Sequence, residues 1–272
     1  MKYSTRMFTL LLSVLLVWTV GPAHAEIRLP SVFADGMVLQ RNQSVPVWGW
    51  AEPGERVMVA LGGTSSETTA GDDGRWRVSL PELAGQKTPM DLLINGSKSG
   101  KAVVHNVLVG DVWLCSGPSN IFWPVKKCEH SKEEIAQAKY PEIRFFMVEK
   151  AAMDKPQEDC AGAWTVCSPE TIGEASGVAY FFARRIHQEE GVPIGVLQSF
   201  WGGSLIEAWT SLETLEAAPS LQPILAEWVS KKAEFDNIAL PAYKETVLGH
   251  NQKIRIFDSG VGSNDQLPHN GS

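Results

Sequence analysis

Clustered positive charge is missing from this 272-residue sequence: 24 Lys and Arg are scattered among 31 Asp and Glu, for a formal charge of −7. Nucleic-acid binding needs a basic patch or stripe, so that class of partner is excluded. Cysteine is scarce, and the four present (Cys115, Cys128, Cys160 and Cys167) contain no C-x-x-C pair. No histidine stands at zinc-finger spacing from them, so no metal site is expected. Internal repeats and low-complexity stretches are also lacking. With 44% hydrophobic and 20% charged residues, the chain is not disordered, collagen-like or coiled-coil.

The first 25 residues read as an address. Lys2 and Arg6 give a positive start, Met7 to Val20 is almost wholly apolar, and Ala23-His24-Ala25 forms a small-x-small cleavage site before Glu26. This is the three-part pattern of a secretory signal peptide. About 14 apolar residues fall short of the ~20 that span a bilayer, and no later segment is longer. The expected mature protein is exported, periplasmic or extracellular, and free of the membrane. Export permits disulfides among the four cysteines, with three pairings open.

The remainder has two grammars. Residues 26–105 carry short alternating or apolar runs at Val45–Trp50, Arg56–Leu61, Arg75–Leu80 and Met90–Ile94, separated by Pro53-Gly54, Gly62-Gly63, Asp72-Asp73-Gly74 and Asn95-Gly96. Short strands with turn chemistry at this spacing predict a small all-β sandwich, with Asp73-Gly74 as a hairpin turn. Its expected role is support or substrate presentation. From residue 106 onward strand, loop and helix alternate, which predicts an α/β layer architecture with parallel strands. Val112–Cys115 and Ile194–Leu197 read as apolar strands. Ser131-Lys132-Glu133-Glu134 has capping-box form. Pro169–Glu190 reads as the longest helix, with Ile172, Ala175, Val178, Ala179, Phe182 and Ile186 on its apolar face and Gly191 as its left-handed cap. A further helix is expected from about Ser220 to Phe235.

In such sheets chemistry gathers at the carboxyl ends of strands, and two loops leave apolar strands there. Ser116-Gly117-Pro118-Ser119-Asn120 holds a serine at a sharp turn, where backbone N–H groups can face a forming oxyanion. The same pattern also suits Ser119 as a helix N-cap. Trp201-Gly202-Gly203-Ser204 offers backbone approach without side chains in the way.

The segments Leu29–Arg41, Val45–Ala51, Asn106–Gly117, Trp164–Thr171 and Gly195–Ser211 together resemble the sialate O-acetylesterase family, of SGNH-hydrolase type. That resemblance implies removal of O-acetyl esters from sialic acid or related acetylated glycans, with no cofactor. It implies Ser119 as nucleophile and an oxyanion hole from the Ser119 N–H and the N–H of Gly202 or Gly203, with the choice between the glycines open. Asn120, Trp123 and Trp201 become candidate substrate contacts, and Trp209 a further sugar-stacking face.

The chain departs from the family around the serine. Gly-Gln-Ser-Asn-Met-Glu-Trp-Pro is usual, whereas here Pro118 precedes the serine and Phe122 stands in place of the acid. The family's Trp-Tyr-Gln-Gly-Glu segment and its final Asp-x-x-His pair have no counterpart, and Asp265-Gln266-Leu267-Pro268-His269 matches the latter only loosely. His105, His130 and His187 read as structural or solvated. The expected organisation is therefore a signal peptide (1–25), a β-sandwich (26–105) and a C-terminally incomplete three-layer SGNH-hydrolase-like α/β domain (106–272). The alternative is a truncated or degenerate secreted protein that binds acetylated glycans without turnover.

Overall fold

The computed structural model describes residues 26–153 and 155–248. The leader, His250 and the Asp265–His269 stretch lie outside the described residues. The chain forms two compact units, divided at Ser204 and Leu205.

The first unit is built on a mixed sheet. Its antiparallel part comprises β3 (Arg56–Leu61), β4 (Thr64–Thr69), β6 (Gln86–Gly96) and the first half of β7 (Lys101–Gly117), in the order β4-β3-β6-β7. The second half of β7 pairs in parallel with β10 (Ile194–Phe200). β10 pairs in parallel with β8 (Tyr140–Val148), and β9 (Gly162–Cys167) closes that side antiparallel to β8. The short β1 (Val38–Gln40) adds parallel to β7 at Leu108–Gly110. A separate two-stranded sheet joins β2 (Val45–Trp50) to β5 (Arg75–Leu80). Alternation sets the faces of that pair: Val45, Val47, Trp76, Val78 and Leu80 turn inward onto Val57, Val59, Leu92 and Ile94. Each such fully buried side chain contributes about 1.5–3 kcal/mol. Apart from a bridge between its last residue, Trp50, and Arg28, β2 pairs only with β5 among the described residues, which tolerates the missing N–H of Pro46.

A second core lies further along the sheet. Ile143, Phe145, Ile194 and Val196 meet Ala179, Tyr180 and Ala183 of α2 (Gly177–Glu190). β7 serves both cores, and its residues are close to Pro193 where it passes between them. A methyl group on Gly110 would lie 1.9 Å from the Pro193 carbonyl oxygen. Arg41 holds the same junction, donating to Asp111 at 2.8 and 3.1 Å. Arg144 of β8 is 4% exposed and has no carboxylate partner among the described residues; its guanidinium donates to the carbonyls of Pro141, Gly36 and Asn106 and to the Asn106 side chain.

Several local expectations are corrected. The Asp73-Gly74 turn forms, with Gly74 at φ +76°, but β4 and β5 on either side of it belong to different sheets. β4 was invisible to an apolar pattern because its residues, Thr-Ser-Ser-Glu-Thr-Thr, are all polar. The long helix begins at Gly177, not Pro169. Ser176 caps it by accepting the Ala179 N–H at 3.2 Å, and Ala175 before the cap is extended. Its buried stripe is Ala179, Tyr180 and Ala183, while Val178 and Phe182 face out, Phe182 with its ring edge-on to Trp113. The capping box does not form at α1 (Ser131–Gln137). His130 takes the cap position in a left-handed conformation, and Glu134 instead accepts from Tyr180 and Arg184. All four cysteines are free thiols, and burial pushes Cys167 up to about 12.

The second unit is helical. α3 (Leu212–Ala217) is capped by Ser211, and α4 (Gln222–Glu234) runs on through a π-helical turn at Phe235–Ala239. No described helix is long and apolar enough to cross a membrane.

Candidate active site

Strand register builds the site. β7 and β10 run in parallel with Gly117 opposite Phe200, so the loops after them leave the same end of the sheet. The Trp201 N–H donates to the Gly117 carbonyl at 3.3 Å and ties the two loops at their base. Gly117 turns the chain at φ +136°, a conformation costly for any side-chain-bearing residue. Ser119 follows, exposed to solvent.

The Gly203 N–H donates to the Ser119 hydroxyl at 3.3 Å. That is the hydroxyl's one hydrogen bond among the described residues, and the Ser119 N–H has none. One backbone donor thus stands at the serine oxygen, beside a Ser119 N–H with no partner among the described residues; unpaired backbone N–H groups of this kind are what holds charge developing on a carbonyl oxygen. The two glycines divide the labour. Gly203 adopts φ +86° with open space where a side chain would be, whereas a methyl group on Gly202 would lie 3.2 Å from the Phe122 ring. Gly202 therefore makes room for Phe122, which also meets Phe200 edge-on at 5.7 Å.

No helix begins at Ser119. The next helical turn is Val125–Lys127, preceded by Pro124 without a side-chain cap bond, so the N-cap role is excluded. The loop is anchored instead at the start of α2: the Gly177 N–H donates to the Trp123 carbonyl at 2.8 Å and the Val125 N–H to the Ala175 carbonyl at 3.0 Å. Gln198, fully buried on β10, accepts the Ser176 N–H at 3.0 Å and fixes that anchor to the sheet. This support was not legible locally, because Gln198 and Ser176 meet only through the fold.

Asn120 is exposed, and its side-chain amide makes no hydrogen bond among the described residues. Trp123 and Trp201 are both exposed. The Trp123 indole is steadied by donation to the Lys127 carbonyl at 3.2 Å. Trp209 belongs to the helical unit. The described histidines are engaged elsewhere: His105 lies 3.1 Å from Asp91, His130 is 3.5 Å from Glu129, and His187 sits between the Val192 carbonyl and Glu142.

No family model matches the chain. It is 29% identical over 223 residues to the sialate O-acetylesterase of Homo sapiens, covering 75% of this chain and 42% of that protein. To the Mus musculus sialate O-acetylesterase it is 28% identical over 250 residues, covering 80% of this chain and 46% of the relative. Among solved structures, a carbohydrate acetylesterase from Xanthomonas citri superimposes with a TM-score of 0.67 at 39% identity, over 70% of this chain and 44% of that one. The chain thus spans less than half the length of the relatives it matches.

Proposed function

We propose, for a chain related to the sialate O-acetylesterases over three quarters of its length, that it carries the nucleophile half of a carbohydrate O-acetylesterase site. The supporting observation is the Gly203 N–H directed at the Ser119 hydroxyl. In this reading Ser119 Oγ attacks the carbonyl carbon of an acetyl ester and forms a new C–O bond. The carbonyl oxygen takes the displaced electron pair and is held by the Ser119 and Gly203 N–H groups. Collapse breaks the bond to the sugar oxygen, which leaves with the proton taken from Ser119, and water then releases acetate from the acetyl-enzyme. Asn120, Trp123 and Trp201 line the approach, the indoles stacking on sugar rings. The substrate is an O-acetylated sialic acid or related acetylated glycan.

The same reading takes residues 26–105 as a supporting β-sandwich and residues 106–272 as part of an SGNH-type α/β domain in an exported protein. The proton of Ser119 needs a base, and the three described histidines are engaged elsewhere. That observation also favours a second reading, in which the chain binds acetylated glycan without turnover.

Acetate release from O-acetylated sialic acid tests the proposal, with Ser119→Ala as control. The esterase reading expects release that the substitution removes. Equal rates from both proteins would sink it, and saturable binding without release would favour the second reading. Loss of a triad member leaves on the order of 10³–10⁴-fold catalysis over water from the oxyanion hole and binding alone, so the proposal is read from the difference between wild type and Ser119→Ala.

A further inference from the structure

We infer that the outer face of the two-stranded β2–β5 sheet is a second glycan site that takes a carboxylate-bearing sugar; this rests on the glycan reading of Ser119. Register places Trp48 opposite Arg77 and Trp50 opposite Arg75. Because alternate residues share a face, these four side chains lie opposite the inward Val47 and Val78, Trp48 also packing against the rim of the core, beside a groove of about 370 Å³ that Glu158 also lines.

The rings are held rather than loose. The Phe33 ring meets Trp48 edge-on at 4.6 Å, and the Arg28 guanidinium lies 3.5 Å from the Trp50 ring centroid. Rigid, part-exposed indoles offer apolar faces to sugar rings at little entropic cost, and Trp and Arg are the residue types that dominate binding surfaces. Charge selects the ligand. Arg75 is paired with Asp73 at 3.3 Å and with Glu158. Arg77 meets only the Trp48 ring, at 5.8 Å, and has no carboxylate partner among the described residues. A planar guanidinium with free donors matches a carboxylate in bidentate fashion. Arg28 faces Asp159 at 3.9 Å, so Arg77 is the arginine of this face left without a carboxylate among the described residues, and on a chain of net charge −7 an acidic sugar is drawn to it rather than to the surface around it. The site would hold an acidic glycan while acetyl groups elsewhere on it reach Ser119.

Titration calorimetry on the full chain decides, using an oligomer of N-acetylneuraminic acid and a neutral xylo-oligosaccharide as probes. The inference expects saturable binding of the acidic probe and at least about tenfold weaker binding of the neutral one. Arg77→Ala and Trp50→Ala should each weaken the acidic probe by about tenfold, and Ser119→Ala should leave it unchanged. Trp50→Ala also removes the Arg28 contact, so Arg77→Ala, at an exposed side chain, keeps the test independent of folding. Absent binding, equal binding of both probes, or wild-type affinity in Arg77→Ala overturns the inference. Loss of acidic-probe binding in Ser119→Ala overturns it as well, by assigning the ligand to the serine site. The proposed esterase chemistry is read separately, by acetate release, and stands or falls apart from this result.

Discussion

The Gly203 N–H reaches the Ser119 hydroxyl at 3.3 Å across 84 residues of sequence. Two parallel strands ending level with each other bring the pair together. Gly203 has φ +86° and no neighbour within 4 Å of a would-be side chain. Gly203→Ala therefore acts through backbone strain alone, at about 1–2 kcal/mol. The variant should stay folded while its N–H swings off the serine, lowering acetylation of Ser119 by an activated ester about 10²-fold. Stopped-flow release of nitrophenol from p-nitrophenyl acetate measures it. An unchanged rate would remove Gly203 from the oxyanion site.

Glu55 ties a turn to the core. Burial pushes its carboxyl up, but the Ser99 hydroxyl and the N–H groups of Ser99, Lys98 and Glu52 outweigh this and hold it down to about 2, from 4.5. A folded value below the unfolded one means stability that is full above pH 4.5 and drains away as pH falls towards 2. Urea midpoints across that range should fall more steeply for the wild type than for Glu55→Gln. At neutral pH the same variant should be less stable by about 2 kcal/mol, having lost acceptors for buried donors. Parallel pH curves for the two proteins would contradict this.

Among the described residues, Arg144 is a buried cation served only by oxygens of Pro141, Gly36 and Asn106. Burial holds its pKa below the usual arginine range. Arg144→Met should strand those acceptors and cost about 3 kcal/mol in urea unfolding. Arg144→Lys should recover little, since a point-like ammonium cannot span acceptors set around a planar fork.

Among the described residues, β7 pairs on one side only from Asp111 to Gly117, with β10. The Val112 N–H on the other side goes to the Gln40 side chain. Trp113 and Leu114, neighbours on opposite faces of this strand, are 42% and 69% exposed. A parallel strand is ordinarily covered on both faces, and an open apolar edge templates association. The wild-type chain should self-associate in light scattering, and Leu114→Lys should raise the monodisperse fraction. A monodisperse wild type with a sharp, reversible thermal transition would contradict this expectation.

What the sequence disclosed follows from how local each cause is. Val45–Trp50 and Arg75–Leu80 were legible to the residue, because alternation on a half-buried sheet needs no distant partner. The start of α2 was not, since Ser176 is held by Gln198 from another strand. The apolar run Val112–Cys115 marked a strand correctly, but not that it is the end of a 17-residue strand serving two cores. At the site, Ser119 and the glycine pair were visible as loops after strands. That the Gly203 N–H, and not that of Gly202, meets the Ser119 hydroxyl goes with the φ of Gly203 and the Phe122 ring against Gly202, neither of which any spacing encodes. The Trp–Arg face of β2 and β5 likewise needed the register that sets Trp48 against Arg77.

The most direct test of the central claim is to trap the acyl-enzyme. The full chain is incubated with p-nitrophenyl acetate, quenched in acid, digested and mapped by mass spectrometry. The expected result is one acetyl group on the peptide carrying Ser119, absent from Ser119→Ala and reduced in Gly203→Ala. Acetyl groups only on other residues, or the same labelling in wild type and Ser119→Ala, would contradict Ser119 as the nucleophile.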